Sequence, residues 1–155
     1  MNVAPSLLRT EVIAAARRWI GTPYIHQASI FQAGCDCLGL VRGVWREVMG
    51  EEPAQPEPYS PDWAESGGRE QMLEAAKQHF LPQEACAFAG GDLLLFRWRE
   101  GLPIKHAAIA TSTETMIHAH DGACVCEVAI PPFWRRRLAA TFQFPQRSVL
   151  PHRRA

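Results

Sequence analysis

The sequence predicts an α+β fold in which helices from the first part of the chain pack on an antiparallel sheet formed by the rest. Apolar residues recur at helical spacing up to about residue 80. From residue 92 onward the apolar segments are short and are separated by turn residues. At 155 residues and 47% hydrophobic content, we expect residues 1–155 to form a single domain.

Three helices are predicted in the first part of the chain, each with an identifiable start or stop. Gly21 and Pro23 end the first helix, while Asp36, a residue type that caps helix N-termini, precedes the second and Gly50 ends it. The predicted helices span residues 7–20, 37–50 and 69–80. Residues 22–34 are expected to form a loop, and the proline-rich residues 51–66 an extended connection.

Five strands are predicted in the second part, because short apolar segments alternate there with glycine, proline and hydroxyl-rich turns. They cover residues 92–98, 107–111, 115–119, 123–128 and 138–144. Helices followed by a run of strands are typical of an α+β domain rather than of alternating parallel units.

Charge and composition narrow the classes of partner. Sixteen basic and sixteen acidic residues balance, so nucleic acid is not expected as a partner. No apolar stretch approaches the roughly 20 residues needed to cross a bilayer, so membrane insertion is not expected. The N-terminus lacks a basic region followed by an apolar run, which predicts synthesis in the cytoplasm without a signal peptide.

Cys37 is the candidate reactive thiol among five cysteines. It follows the capping residue Asp36, so its sulfur should lie near unpaired N–H groups and the positive end of a helix dipole, which favour the thiolate. The same N–H groups could stabilise an oxyanion. Gly39 would allow another segment to approach closely. The alternative is a buried, inert cysteine.

A thiol nucleophile needs a base, and His106 is the candidate because the strand region can pair it with a second histidine. One possible hairpin turn places His106 opposite His118, and the next places it opposite His120. A two-residue turn would place it opposite Ala119 instead. Spacing therefore predicts a histidine pair and leaves its second member open.

A zinc site is an alternative interpretation of the cysteines. Cys35 and Cys37, together with Cys124 and Cys126, could form the two halves of a four-thiolate site. The one-residue spacing within each half is shorter than the usual two to four residues, so neither a metal nor another cofactor is expected.

Several short motifs occur in a fixed order between about residues 10 and 130. They are Gly21-Thr22-Pro23-Tyr24, Asp36-Cys37-Leu38-Gly39-Leu40-Val41, Gly91-Asp92-Leu93, His106-Ala107-Ala108-Ile109 and Ile117-His118-Ala119. In this order the chain resembles the NlpC family of cell-wall peptidases, within the papain-like cysteine peptidases.

The resemblance implies a papain-like fold, with the nucleophile's helix packed on an antiparallel sheet. It also implies Cys37 as catalytic nucleophile, His106 as base and His118 as the residue that orients the base, with Tyr24 and Asp36 binding substrate. The implied substrate is a peptidoglycan stem peptide, cleaved between D-glutamate and a diamino acid.

The segment 35–43 is most similar to a branch of the family found in phage tails and gene transfer particles. This implies tail proteins as partners and a place in a phage-like particle. Leu38 stands where many relatives have serine, and residues 25–27 differ from the usual aromatic and two glycines. A structural tail protein with little activity and a cysteine-dependent acyltransferase are the alternatives.

Overall fold

The computed structural model describes residues 7–53 and 70–147. Its helices are α1 (Leu7–Arg18), α2 (Cys37–Val48), α3 (Gln71–His79) and the single turn α4 (Pro132–Arg135). Its strands are β1 (Ser29–Ile30), β2 (Gly34–Cys35), β3 (Leu81–Gln83), β4 (Leu93–Arg97), β5 (Ile104–Ala110), β6 (Thr115–His118), β7 (Cys126–Ala129) and β8 (Leu138–Gln143). Most of the predicted connection 51–66 lies outside the described residues.

Six strands form one antiparallel sheet in the order β3-β8-β4-β5-β6-β7, which confirms the predicted α+β fold. The five predicted strands correspond to β4 through β8. The small strands β1, β2 and β3 were not predicted, because two or three residues are too few to show an alternating pattern. Pro82 lies in β3 at the edge of the sheet, where a strand tolerates a residue without an N–H group.

The two faces of the sheet contribute to different cores. On one face Leu95, Ala107 and Ile109 join a buried cluster with α1 and α2. Residues that alternate with these, such as Phe96 and Ala108, pack on the other face against the segment around α4. The helix that begins at Cys37 therefore covers one face of the sheet, as the sequence predicts.

Helix α2 approaches α1 closely because Gly43 lies beneath a tryptophan ring. A Cβ atom at Gly43 would lie 2.0 Å from Trp19 Cζ2, so no larger residue fits without a shift. Trp19 is fully buried, and its indole N–H donates to Glu47 Oε1 at 3.2 Å. This packing holds the start of α2 at a defined position relative to the sheet.

No helix in the two described ranges has both the length and the apolar character that a bilayer span requires.

Asp92 ties α1 to the sheet through a buried carboxylate. Arg9 Nη1 donates to Asp92 Oδ1 at 2.6 Å, while Gln83 Nε2 and the Ala89 N–H donate to Oδ2 at 2.8 and 2.9 Å. A buried charge is stable only when it is paired and hydrogen-bonded, and these contacts meet that need. The Gly91-Asp92-Leu93 motif thus has a structural explanation.

Strand β5 contains an irregularity at Lys105, beside the predicted base. Phe96 of β4 pairs with His106, but its neighbour Arg97 pairs with Ile104, so Lys105 is an extra residue in the ladder. Such bulges increase local twist and redirect side chains, and they are common next to active sites.

Candidate active site

The start of α2 is held in place by the side chain of Asp36. Its Oδ1 accepts the Gly39 N–H at 2.7 Å, which makes it the N-cap, and its Oδ2 accepts the Gln27 N–H at 2.8 Å. Asp36 is buried. These contacts join the preceding loop to the helix and so orient Cys37. Direct substrate binding by Asp36 stays a prediction, and the structure gives both of its oxygens backbone partners.

Gly39 is required by the close approach of that loop. A Cβ atom at this position would lie 1.9 Å from the carbonyl oxygen of Ala28, a distance at which backbone must move. Ser29 Oγ also donates to the Gly39 carbonyl at 2.6 Å. The expectation that Gly39 admits another chain segment next to the turn that begins at Cys37 is therefore confirmed.

Cys37 begins α2, and its sulfur lies against strand β5 at the bulge. The Sγ atom lies 3.9 Å from the carbonyl oxygen of Lys105, as a weak thiol donor. Backbone N–H groups of Ala107, Leu38 and Cys37 itself also approach the sulfur and act to lower the pKa of the thiol. The thiol thus contacts the strand on both sides of His106. In the described ranges no hydrogen bond joins it to the His106 ring.

The acidity of Cys37 differs from the expectation. Burial, and then the negative charge of Asp36, raise the pKa of the Cys37 thiol to about 12, and the nearby N–H groups only partly oppose them. A helix start does not by itself produce a thiolate where the sulfur is desolvated. The resting group is therefore the neutral thiol.

His106 and His118 form a buried hydrogen-bonded pair on the sheet. His106 Nε2 lies 2.9 Å from His118 Nδ1, and both residues retain only 6% of their exposure. The register that would place His120 opposite His106 is the one observed, since Ile109 pairs with Ile117. His118 nevertheless reaches His106 as a diagonal neighbour on the same face. Register alone did not identify the second histidine.

Both imidazoles of this pair are neutral at pH 7. Burial, followed by the proximity of His118 and His120, lowers the pKa of His106 well below its usual range. Burial, followed by His120, lowers the pKa of His118 to about 4. Buried imidazoles lose the hydration that stabilises their charged form, so they are held in the state that accepts a proton.

Trp134 of α4 covers the histidine pair. Its ring stacks on His106 with centroids 4.8 Å apart and an interplanar angle of 28°, and its centroid lies 6.0 Å from the rings of both His118 and His120. Trp134 is buried. Trp134 is not among the site residues predicted from the sequence. The signal that could have found it is the apolar Phe133-Trp134 pair directly after two prolines.

Tyr24 lies near Cys37. It forms an isolated parallel bridge with Cys35, which is two residues before Cys37. Burial, then the proximity of Cys37 and Asp36, raise the pKa of Tyr24 to about 12, so its hydroxyl stays protonated at neutral pH. The position fits the predicted cleft residue, and its contact with substrate stays a prediction.

The cysteines do not form a metal cluster in the part of the chain that the structure describes. Cys35 is buried beneath the start of α2, Cys124 is exposed, and Cys126 lies in β7. No group of three or more histidine, cysteine or acidic side chains in residues 7–53 and 70–147 is arranged to hold a metal ion. The four-thiolate interpretation therefore has no geometric support.

Comparison with solved structures identifies the same fold in several proteins. The NlpC/p60 domain of the peptidoglycan hydrolase SagA has 23% sequence identity and a TM-score of 0.61, and the match covers 88% of this chain and 98% of that one. An NlpC/P60 family protein from Bacillus cereus has 18% identity and a TM-score of 0.65, covering 90% of this chain and 41% of that one.

A lipoprotein-like member of the same family from Staphylococcus aureus has 16% identity and a TM-score of 0.64, with 92% of this chain and 43% of that chain covered. The chain thus spans less than half the length of the two longer proteins.

No curated protein sequence matches the chain. The profile of the NlpC/P60 family matches residues 21–143. This match covers the thiol, the histidine pair and the sheet that carries it, and the chain belongs to the NlpC/P60 family.

Proposed function

We propose that the protein is a cysteine peptidase that hydrolyses peptide bonds in peptidoglycan stems, with Cys37 as nucleophile and His106 as base. The observation that carries the proposal is the thiol at the start of α2, held against the strand segment that bears the His106–His118 pair. Membership of the NlpC/P60 family supports the same substrate class. The finer assignment, hydrolysis between D-glutamate and a diamino acid, rests on the sequence resemblance.

The tautomers follow from the hydrogen bond between the histidines. If His106 accepts the thiol proton on Nδ1, its own proton must reside on Nε2 and be donated to His118 Nδ1. His118 must then carry its proton on Nε2 and leave Nδ1 free to accept, and its low pKa is consistent with a single ring proton at neutral pH. His118 would orient the His106 ring and stabilise its charged form during the reaction.

The proposed attack begins from a neutral pair. The thiol leaves the Lys105 carbonyl, gives its proton to His106 and attacks the scissile carbonyl carbon, forming a tetrahedral intermediate. The N–H groups at the start of α2 stabilise the oxyanion. His106 then gives the proton to the departing amine, leaving an acyl-enzyme that a water molecule hydrolyses to release the acid and restore the thiol.

Digestion of purified peptidoglycan by the wild-type chain tests the proposal. Hydrolysis produces one new amino group and one new carboxyl group per cleavage, and mass analysis of the fragments locates the bond. Transfer of the acyl group to an acceptor amine would instead join fragments, as the acyltransferase alternative requires. An unchanged fragment pattern after prolonged digestion would favour the structural alternative and reject hydrolysis.

The pH dependence of cleavage should reflect a neutral base rather than a preformed ion pair. Because burial lowers the pKa of both His106 and His118, we expect kcat/KM to be maintained at pH 6 and to fall as the pH approaches 4. The folded protein binds fewer protons than the unfolded chain, so the free energy of unfolding also decreases below about pH 6.5.

That profile is measured with a soluble muropeptide, with circular dichroism at each pH to separate loss of structure from loss of activity. An acid limb at or above pH 6.5 would contradict the neutral-pair mechanism.

His118 and His120 should contribute unequally. His118→Ala removes the hydrogen-bond partner of His106, so we expect kcat to fall by about tenfold to a hundredfold. His120 contacts the pair only through ring proximity, with centroids 5.9 Å from His106, so His120→Ala should cost less. Steady-state kinetics of the two variants compares them, and His118→Asn should recover part of the loss by accepting the same proton. A larger loss in His120→Ala would exclude His118 as the orienting residue.

The place of the protein in a phage-like tail is also a proposal. Its support is the similarity of residues 35–43 to the tail-associated branch, and it makes tail proteins the expected partners. In such a particle the peptidase would reach the wall from outside, after synthesis in the cytoplasm. Mass spectrometry of purified particles tests this, and the absence of the chain from particles that contain all other tail proteins would reject it.

A further inference from the structure

A groove with aromatic and cationic walls lies beyond the histidine cluster. It has a volume of about 610 Å³ and is lined by Trp98, Arg99, Leu102, Phe133 and Arg137. Trp98 and Phe133 are 41% and 43% exposed, so both present ring surface to the groove. The lining contains two positive charges and no acidic residue.

Arg137 holds the walls of this groove in place. Its Nε donates to the Trp98 carbonyl at 2.9 Å, and its Nη1 donates to the Phe133 carbonyl at 2.9 Å. Its guanidinium carbon also lies 3.6 Å above the Phe133 ring. The Nε and Nη1 groups of Arg137 are thus used within the protein, and they tie the loop after β4 to α4.

Arg99 is the charge that the groove offers to a ligand. It is exposed, and among the residues that the structure describes its guanidinium has no hydrogen bond or ion pair, while its backbone carbonyl accepts the Leu102 N–H at 3.2 Å. A guanidinium beside two aromatic walls suits a carboxylate attached to a partly apolar chain, because it can donate two parallel hydrogen bonds.

The groove lies beside the histidine cluster, although none of the three histidines lines it. The Trp98 ring stacks near His120 with centroids 6.1 Å apart, and His120 lies 5.9 Å from His106. An extended peptide covers about 3.3–3.6 Å per residue. A peptide that runs from His106 past His120 to Trp98 therefore needs roughly three residues. In a thiol–imidazole mechanism the base protonates the departing amine, so the leaving half of the substrate lies on the histidine side.

We infer that this groove binds the leaving half of the stem peptide, with Arg99 recognising the carboxylate at its end. The inference rests on the proposed function for the orientation of the substrate. It assigns a specificity role to residues that lie outside the thiol and histidine machinery. An uncrosslinked stem ends in a free carboxylate, whereas a blocked or amidated end offers Arg99 no negative charge.

Calorimetric titration of Cys37→Ala protein tests the inference without cleavage. The probes are two synthetic stem peptides that are identical except for a C-terminal carboxylate or carboxamide. We expect the carboxylate peptide to bind about five to ten times more tightly. Adding Arg99→Gln should remove that preference by weakening the carboxylate peptide alone, and Arg99→Lys should restore part of it.

Arg136→Gln is the matched control, because it removes the same charge from an exposed neighbour of the groove that does not line it. Equal affinity for the two peptides, or an equal loss in Arg99→Gln and Arg136→Gln, would overturn the inference. Cleavage by the wild-type chain is measured separately. Failure to cleave together with an intact carboxylate preference would reject the proposed hydrolysis while retaining the groove as a carboxylate site.

Discussion

Cys37→Ala should abolish peptidoglycan cleavage while leaving the fold intact. Without the sulfur no acyl-enzyme can form, so we expect activity to drop by at least about a thousandfold. The structural cost should be small, because the thiol is small, packs at the margin of the core, and among the described residues has one weak hydrogen bond to a carbonyl, that of Lys105 at 3.9 Å. We expect the free energy of unfolding to change by about 1 kcal/mol or less.

The measurement is fragment release from purified peptidoglycan, with thermal unfolding recorded for the same preparations. Cys124→Ala is the matched control, because Cys124 is also a free cysteine but is exposed and is not among the groups around the Cys37 sulfur. Cys37→Ser keeps the side-chain shape and should also be inactive, because a hydroxyl is a far weaker nucleophile beside a neutral imidazole. Wild-type cleavage by Cys37→Ala would rule out the nucleophile assignment.

His106→Gln should produce the second largest loss. Glutamine can still donate a hydrogen bond to His118 but cannot take up the thiol proton, so we expect kcat to fall by about a hundredfold to ten-thousandfold with KM little changed. Because His106 is buried and stacks on Trp134, some loss of stability is also expected, on the order of 1–2 kcal/mol.

Kinetics must therefore be measured below the unfolding temperature of this variant. His79→Gln provides the control, since His79 lies at the end of α3, away from the histidine cluster. A further readout is the acid limb of the pH profile, which reports the base and should disappear with it. An unchanged limb, with kcat close to that of the wild-type chain, would mean that another group accepts the proton.

The site depends on burial in a way that local sequence does not reveal. Asp36 precedes Cys37 and caps its helix, and both positions were predicted from residue type alone. The same carboxylate, together with desolvation, raises the pKa of the thiol instead of allowing the helix start to lower it. The sign of the shift depends on how far the fold buries the sulfur, since the Ala107 N–H of β5 acts in the opposite direction.

The histidine pair is a second feature of the site that local sequence does not fully reveal. Strand periodicity predicted a histidine pair that includes His106, because side chains alternate with a period of two, and it left the second member of the pair open. Which of the two later histidines contacts His106 depends on the twist and on the bulge at Lys105, neither of which has a signature in residue spacing.

The sequence by itself determined the α+β class, the five main strands and the helix that begins at Cys37, since apolar periodicity and capping are local properties of the chain. The tertiary structure decided the rest: the neutral state of Cys37, the choice of His118, and the cover that Trp134 provides. These features arise where segments distant in the chain exclude water from the same polar groups. Desolvation is a property of the packed neighbourhood, so residue order alone could not specify it.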